Sequence, residues 1–245
     1  MSYIDLITSA IGTSLAELIT LPICTVKTNY QTNLNYKSVF HTTKDIIHER
    51  GVFGFYNSFT RALLSQIVSM TTKFTFYNYI KEKRNTSQGD FKNNIINGMF
   101  GGVMSSIFVH PFDVGKIYKQ NNLSFTKEFK NTGISFLYRG YSKTLIKSMA
   151  LTSLIFPFYD FYKYKFDNLF VASTLSSISA TCILHPLDYL KTRHISNQKL
   201  YIDFDHLPSL IKYYYRGLHI NLSRTIPHFM ITMFITEKVK QLMIE

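Results

Sequence analysis

Six long apolar stretches, broken by polar residues at helical spacing, alternate along this chain with short polar segments. Two of the six carry no charged side chain over 95–112 and 168–187. The others hold Asp5 and Glu17 in the first, Lys73 in the second, Asp160 in the fourth and Glu237 near the end of the sixth. The pattern predicts helices over 3–32, 59–83, 92–121, 141–165, 168–196 and 217–242. Short amphipathic helices are expected near 37–48, 124–131 and 203–213. Helices that line a water-filled cavity can carry polar residues on one face, so the charges are compatible with six membrane spans. A soluble protein of interrupted helices is the competing reading.

The second regularity is repetition. His110-Pro111-Phe112-Asp113-Val114-Gly115-Lys116 returns as His185-Pro186-Leu187-Asp188-Tyr189-Leu190-Lys191, and more weakly as Leu21-Pro22-Ile23-Cys24-Thr25-Val26-Lys27. Each copy is followed, 27 to 34 residues after its proline, by Tyr56, Tyr138 or Tyr215. The last two tyrosines continue as Arg139-Gly140 and Arg216-Gly217, the first as Asn57-Ser58. The chain therefore reads as one domain, 1–245, built of repeats 1–85, 86–165 and 166–245. A proline inside a helix removes one backbone hydrogen bond and kinks it. Kinks at Pro22, Pro111 and Pro186 can draw three helix ends toward a common axis. The carboxylate two residues after each proline and the lysine three further on share a helix face. Around a threefold axis the acid of one helix can meet the lysine of the next. That ring would hold Lys27, Lys116 and Lys191 but only Asp113 and Asp188, because Cys24 stands in the first copy. One cation is thus expected to lack a partner.

A second ring is readable 22 residues after each signature tyrosine, at Asn78 with Lys81, Asp160 with Lys163, and Glu237 with Lys240. Asn78 again deletes a carboxylate. Gly12 with Ala16, Gly98 with Gly102, and Ser176 with Ala180 give small residues one turn apart, which lets membrane helices approach closely.

Composition narrows the function classes. With 46% hydrophobic and 16% aromatic residues, the chain is too apolar for a disordered basic tail. A net charge of +12 points to nucleic acid, anionic lipid or an anionic solute. A nucleic-acid binder would cluster its Lys and Arg on a soluble surface. Here they recur at threefold-equivalent positions, so no nucleic-acid partner is expected. Cys24 and Cys182 lie in apolar runs and form no disulfide or zinc framework. The histidines have no nucleophile or metal partner at readable spacing, and there is no P-loop or Gly-rich dinucleotide motif. The reading is of a protein that is not an enzyme, with no cofactor and no metal; His110 and His185 read as marks of helix kinks. The first basic residue is Lys27, so no Arg-rich presequence is expected. Abundant Lys, Asn, Ile, Tyr and Phe hint at an AT-rich genome, viral or protist.

The two-part signature resembles that of the mitochondrial carrier family over about residues 3–240. The departures are Cys24, Asn57-Ser58, and an acidic-Gly element eroded to Arg50-Gly51, Thr132-Gly133 and Ser209-Leu210. The resemblance implies an all-α membrane protein: a threefold pseudo-symmetric bundle of six transmembrane helices with three short amphipathic helices on the matrix side. It implies a multi-pass protein of the mitochondrial inner membrane, a host's if the source is viral, addressed by internal signals rather than a cleavable presequence. It makes the first ring the matrix gate (Cys24, Lys27, Asp113, Lys116, Asp188, Lys191). The second becomes the cytoplasmic gate (Asn78, Lys81, Asp160, Lys163, Glu237, Lys240).

It further implies substrate contacts at Ser65, Lys147 and Arg224, each nine residues after a signature tyrosine, with Ser148 beside Lys147. Glu17, two turns before Cys24, is expected to look into the same cavity. It is open to three roles: binding a substrate amine, carrying a proton, or neutralising a lysine, the last being favoured. Arg61 and Lys143 lie one turn before Ser65 and Lys147; the cavity and lipid phosphates compete for them. Cardiolipin is an expected partner at the helix N-termini that begin at Gly140 and Gly217, with Ser58 keeping part of such a site.

Two cations converging from two helices imply a solute with at least two negative charges. The reading is a carrier, functional as a monomer, that exchanges an anionic metabolite by alternating access, (deoxy)nucleotides first. A di- or tricarboxylate or keto-acid carrier is the alternative. A non-transporting scaffold or proton-leak protein on the same fold is the third reading.

Overall fold

The computed structural model describes residues 3–84, 91–166, 168–199 and 207–244. Among these residues the regular structure is helical: α1 (Tyr3–Thr32), α2 (Val39–Arg50), α3 (Phe59–Lys83), α4 (Phe91–Gln120), α5 (Phe125–Thr132), α6 (Tyr141–Phe166), α7 (Leu169–Ile195), α8 (Leu207–Tyr214) and α9 (Leu218–Ile244). The six long helices begin and end within two residues of their expected limits. Two 3-10 turns, Val52–Tyr56 and Gly133–Tyr138, were not expected. The first part of the expected 203–213 helix lies outside the described residues.

Local chemistry sets these boundaries. The side chains of Ser38, Ser124 and Asn168 accept backbone N–H bonds at the starts of α2, α5 and α7. Gly51 and Gly133 each leave their helix at φ +66°, where an L side chain is strained. The eroded acidic-Gly elements thus keep the glycine, which the turn requires, and lose the acid. Ser209-Leu210 instead lies inside α8.

The helices close into a ring in the order α1, α3, α4, α6, α7, α9. The tightest packing is between repeats, with α3 on α4, α6 on α7 and α9 on α1; α1 with α3, α4 with α6 and α7 with α9 touch less. Gly12, Ala16, Gly102, Ser176 and Ala180 are buried at these approaches and Gly98 is half-buried.

The bundle is apolar outside and polar inside. On α1, Ile7, Ile11, Leu15 and Ile19 are exposed at every fourth position, while Thr8, Thr13, Glu17, Thr20, Lys27 and Gln31 are buried. On α4, Ile96, Phe100, Met104 and Phe108 face outward, while Asn97, Ser105, Ser106 and His110 are buried. Water-soluble proteins sort the other way. Among the described residues, two segments, Ala10–Thr32 and Phe170–Ile195, are long and apolar enough to cross a membrane. Buried apolar side chains gather where the prolines sit: Val114, Ile117, Tyr118, Phe136 and Ile195 in one group, and Leu21, Cys24 and Ala62 in another. Pro22, Pro111 and Pro186 lie inside α1, α4 and α7, and Pro227, which the repeat does not include, lies inside α9.

Candidate functional site

The proline-bearing helices α1, α4 and α7 bring their charged residues together. Lys27 of α1 pairs with Asp188 of α7. Lys191 of α7 pairs with Asp113 of α4 at 2.7 Å. The cation left without an acid inside the repeated motif is Lys116, and it pairs with Glu17 of α1. Seven residues of helix are close to two turns, so Glu17 and Cys24 share a face about 10 Å apart along the axis. The four-carbon stem of Lys116 reaches the displaced acid. Cys24 itself stays 7% exposed, packed with Leu21 and Ala62.

Each carboxylate holds a second group with its other oxygen. Asp188 Oδ1 is held by Lys147 of α6. Asp113 Oδ1 accepts from the Ser65 hydroxyl of α3 at 2.6 Å. Glu17 Oε2 accepts from Arg224 Nη2 of α9 at 2.7 Å. Ser65, Lys147 and Arg224 are the three residues nine places after the signature tyrosines. The connectivity is the same in all three cases. An acid on one proline-motif helix (α1, α4 or α7) takes a lysine from the next of these and a cavity residue from the long helix just before it in the ring (α9, α3 or α6). Glu17 obeys this rule despite its displacement. Its carboxylate is 1% exposed, and Gln66 Nε2 also donates to it at 3.2 Å. His228 Nδ1 lies 3.9 Å from the same oxygen and 3.2 Å from the Thr20 hydroxyl, which itself donates to the Ala16 carbonyl.

Lys73 of α3 was noted in the sequence only as a charge in an apolar stretch. It is reached by solvent, lies within electrostatic reach of Asp113, Lys147 and Lys191, and has no ion pair among the described residues. An isolated basic residue inside a spanning stretch was the available signal. With it, six cations (Lys27, Lys73, Lys116, Lys147, Lys191, Arg224) face three carboxylates (Glu17, Asp113, Asp188) among the described residues of this cavity.

The other expected cavity residues point elsewhere or stay half-buried. Arg61 Nη1 donates to the Gly115 carbonyl at 2.8 Å and its guanidinium lies 4.6 Å from the Phe125 ring centre. It therefore braces α3 against α4 and α5. Gly115 permits this approach, since a Cβ there would sit 3.1 Å from Arg61 Cδ. Lys143 lies within electrostatic reach of His194. Ser148 is half-buried next to Lys147.

His110 and His185 do more than mark kinks. His110 Nε2 donates to the Arg139 carbonyl at 3.1 Å, and its Nδ1 accepts from the Thr144 hydroxyl at 3.0 Å. His185 Nε2 donates to the Arg216 carbonyl at 3.2 Å, and its Nδ1 accepts from Asn221 Nδ2 at 3.2 Å. Each histidine thus ties the proline element to the aromatic-Arg-Gly element of its own repeat. In repeat 1 buried Leu21 takes the position, and Thr25 reaches the Phe55 carbonyl at 2.8 Å instead.

Beyond the ring, hydrogen bonds join the ends of α1, α4 and α7: Thr28 to Gln120 Oε1 at 2.8 Å, Asn29 to the Gln120 carbonyl at 2.8 Å, and Asn121 to Ser196 at 2.9 Å. Arg193, 2% exposed, donates to the Gln31 and Thr32 carbonyls at 3.2 Å and lies over the rings of Tyr189 and Tyr213. At the starts of α6 and α9, Gly140 and Gly217 adopt φ +79° and +82°. Ser58 precedes α3 at φ −97°, its hydroxyl buried and without a partner among the described residues. The side chains of Asn78, Lys81, Asp160, Lys163, Glu237 and Lys240, the second expected ring, lie outside the described residues.

A family model described as mitochondrial carrier protein matches residues 2–88, 87–169 and 164–245. A mitochondrial carrier-like protein of Acanthamoeba polyphaga mimivirus is 40% identical over 243 residues, covering 98% of each chain. Mitochondrial thiamine diphosphate carrier 1 of Arabidopsis thaliana is 24% identical over 78% of this chain and 73% of its own. A mitochondrial electrogenic aspartate/glutamate antiporter of Homo sapiens is 24% identical over 70% of this chain and 30% of its own.

Proposed function

Because the chain belongs to the mitochondrial carrier family, whose model matches it in three successive repeats, we propose that it exchanges a multiply charged anionic metabolite across the mitochondrial inner membrane. The six long helices span the bilayer, and the ring at the prolines is the gate on the matrix side. The observation that carries this reading is the cavity's charge. Among the described residues, six cations against three carboxylates leave an excess of three positive charges, which a dry bilayer interior would not tolerate without water or an anion. Arg224 also keeps a buried Nε with no hydrogen-bond partner among the described residues, a donor available to a ligand.

Lys147 and Arg224 set the minimum of two negative groups, and Lys73 adds a third cation on a third helix. That set fits a phosphorylated organic anion best, since Arg clamps phosphate with two donors and Lys adds point charge. A nucleotide or deoxynucleotide is the first choice. A thiamine diphosphate carrier among the relatives shares the diphosphate group and ranks beside it. Arg61 is left out of the substrate set, because its guanidinium is engaged between α3, α4 and α5. Cardiolipin phosphate at the starts of α6 and α9, and function as a monomer, belong to the same reading.

The test is exchange in liposomes. Purified protein is reconstituted, and uptake of labelled ribo- and deoxynucleotides, thiamine diphosphate, phosphate, and di- and tricarboxylates is measured against each as internal counter-substrate. Saturable exchange of organic phosphates, lost in Arg224→Ala and Lys147→Ala, is expected. Exchange of carboxylates alone would overturn the substrate class, and no exchange by folded protein would overturn the carrier function.

A further inference from the structure

We propose that Glu17 is the third carboxylate of the matrix-side ring, and that closing the ring and holding an anion at Arg224 exclude one another because Glu17 serves both. The proposal rests on the exchange function above for its anion, but its carboxylate stands on geometry alone. Glu17 divides its oxygens as Asp188 does, one to a ring lysine, Lys116, and one to a cavity cation, Arg224. Asp188 divides its own between Lys27 and Lys147. Asp113 follows the same rule with Lys191 but offers its second oxygen to the neutral hydroxyl of Ser65.

The consequence is a coupling with a direction. An entering anion with two charged groups takes Lys147 from Asp188 and Arg224 from Glu17. The two acids are then held by one lysine each, and two of the three ring pairs loosen together. The Asp113 pair does not respond, since Ser65 brings no charge for an anion to claim. A ligand shifts such an equilibrium only through its different affinities for the two states. Here the difference is built in, because the closed ring occupies the cations that the anion needs. A carboxylate at position 24 would pair with Lys116 from within the proline element. At position 17 the acid is seated in the cavity itself, wholly enclosed with Arg224, Gln66 and His228 around it.

Three variants separate the parts: Glu17→Gln, Glu17→Gln with Cys24→Asp, and Glu17→Gln with Lys116→Gln. Thermal unfolding in mild detergent needs no substrate. Glu17→Gln is expected to lower the midpoint by roughly 6 °C or more, since Lys116 and Arg224 both lose their acid. Cys24→Asp is expected to restore part of the loss, because Cys24 lies within electrostatic reach of Lys116. Lys116→Gln should also restore part of it by removing the orphaned charge, and this variant decides the matter if Glu17→Gln alone does not fold. In liposomes, KM for ADP or thiamine diphosphate is expected to fall roughly fivefold in Glu17→Gln with Cys24→Asp, Arg224 being free of its competitor. An unchanged midpoint in Glu17→Gln, or no recovery in either double variant, overturns the ring assignment. A raised KM overturns the competition. If the wild type exchanges neither probe, the exchange function fails and the unfolding series still decides whether Glu17 completes the ring.

Discussion

Replacing Asp188 with Asn probes the ring where one carboxylate holds two cations. The Lys27 and Asp188 side chains are 9% and 12% exposed, so their pair counts as buried. Removing one partner of a buried pair costs about 3–5 kcal/mol, because the remaining charge is left unpaired. Lys147 is 30% exposed and its share is closer to that of a surface pair, about 1 kcal/mol or less. Asp188→Asn therefore destabilises the closed ring by at least ~3 kcal/mol, on the order of a hundredfold in the ratio of open to closed molecules. Lys27→Gln is the matched control. It leaves Asp188 bonded to Lys147, so its cost is about 1 kcal/mol, roughly fivefold. Cys24 is the reporter: it is buried beside the ring, and Cys182 is the chain's other cysteine. In a Cys182→Ser background, the rate at which a membrane-impermeant maleimide labels Cys24 in proteoliposomes follows ring opening. Asp188→Asn should label at least tenfold faster than Lys27→Gln. Labelling of Lys27→Gln as fast as Asp188→Asn, or of both at the parent rate, would falsify the shared-carboxylate reasoning.

Arg61→Ala is expected to lower the unfolding midpoint by several degrees, through loss of the bond to the Gly115 carbonyl and the stacking on Phe125, while leaving KM for the exchanged anion unchanged; a raised KM would return Arg61 to the substrate site. Arg193→Lys keeps the charge but loses the planar fork that reaches two carbonyls of α1 while lying over two tyrosine rings, so a loss of about 2 kcal/mol is expected by chemical unfolding. Gly217→Ala places a Cβ at φ +82° and 3.4 Å from Gln31 Cγ, which should cost about 1–2 kcal/mol; Gly115→Ala, crowded by Arg61 but not at positive φ, should be relieved when combined with Arg61→Ala.

The helix limits were legible because local signals along the chain set them. The apolar period gives the extent of the long helices, Pro22, Pro111 and Pro186 fall inside three of them, and Gly51, Gly133, Gly140 and Gly217 stand at the ends of others; none of these depends on which side chain meets which. The threefold contact positions were legible for a related reason. A constant offset of nine residues from Tyr56, Tyr138 and Tyr215 puts Ser65, Lys147 and Arg224 at one level of the bundle, and the structure gives each of them a ring acid as partner. Direction around a helix was less legible. Arg61 lies one turn from Ser65 yet turns to Gly115 and Phe125, because its long stem can follow the seam between α3 and α4. The histidines of the repeated motif gave no chemical hint of their bonds, since their partners are backbone carbonyls some 30 residues away.

The pairing in repeat 1 has the same physical root. A motif assigns an acid by its place after proline, and Cys24 breaks that rule. Side chains instead assign partners by reach, and two helical turns return Glu17 to the face that Cys24 shares. Once the carboxylate is displaced, the site at 24 needs no charge. It can join Leu21, Ala62 and the ring of Phe59 in an apolar contact, where an unpaired acid would be costly. The same substitution logic explains Leu21. Without a histidine to tie the proline element to Tyr56, repeat 1 uses buried aliphatic packing and the Thr25 bond to the Phe55 carbonyl. Repeat 1 is thus a complete third of the ring written with different residues. The asymmetry that remains lies at Ser65, where α3 supplies a hydroxyl while α6 and α9 supply cations at the equivalent places. In the exchange proposed above, that one position leaves Asp113 with Lys191 as the pair whose second partner an anion would not claim.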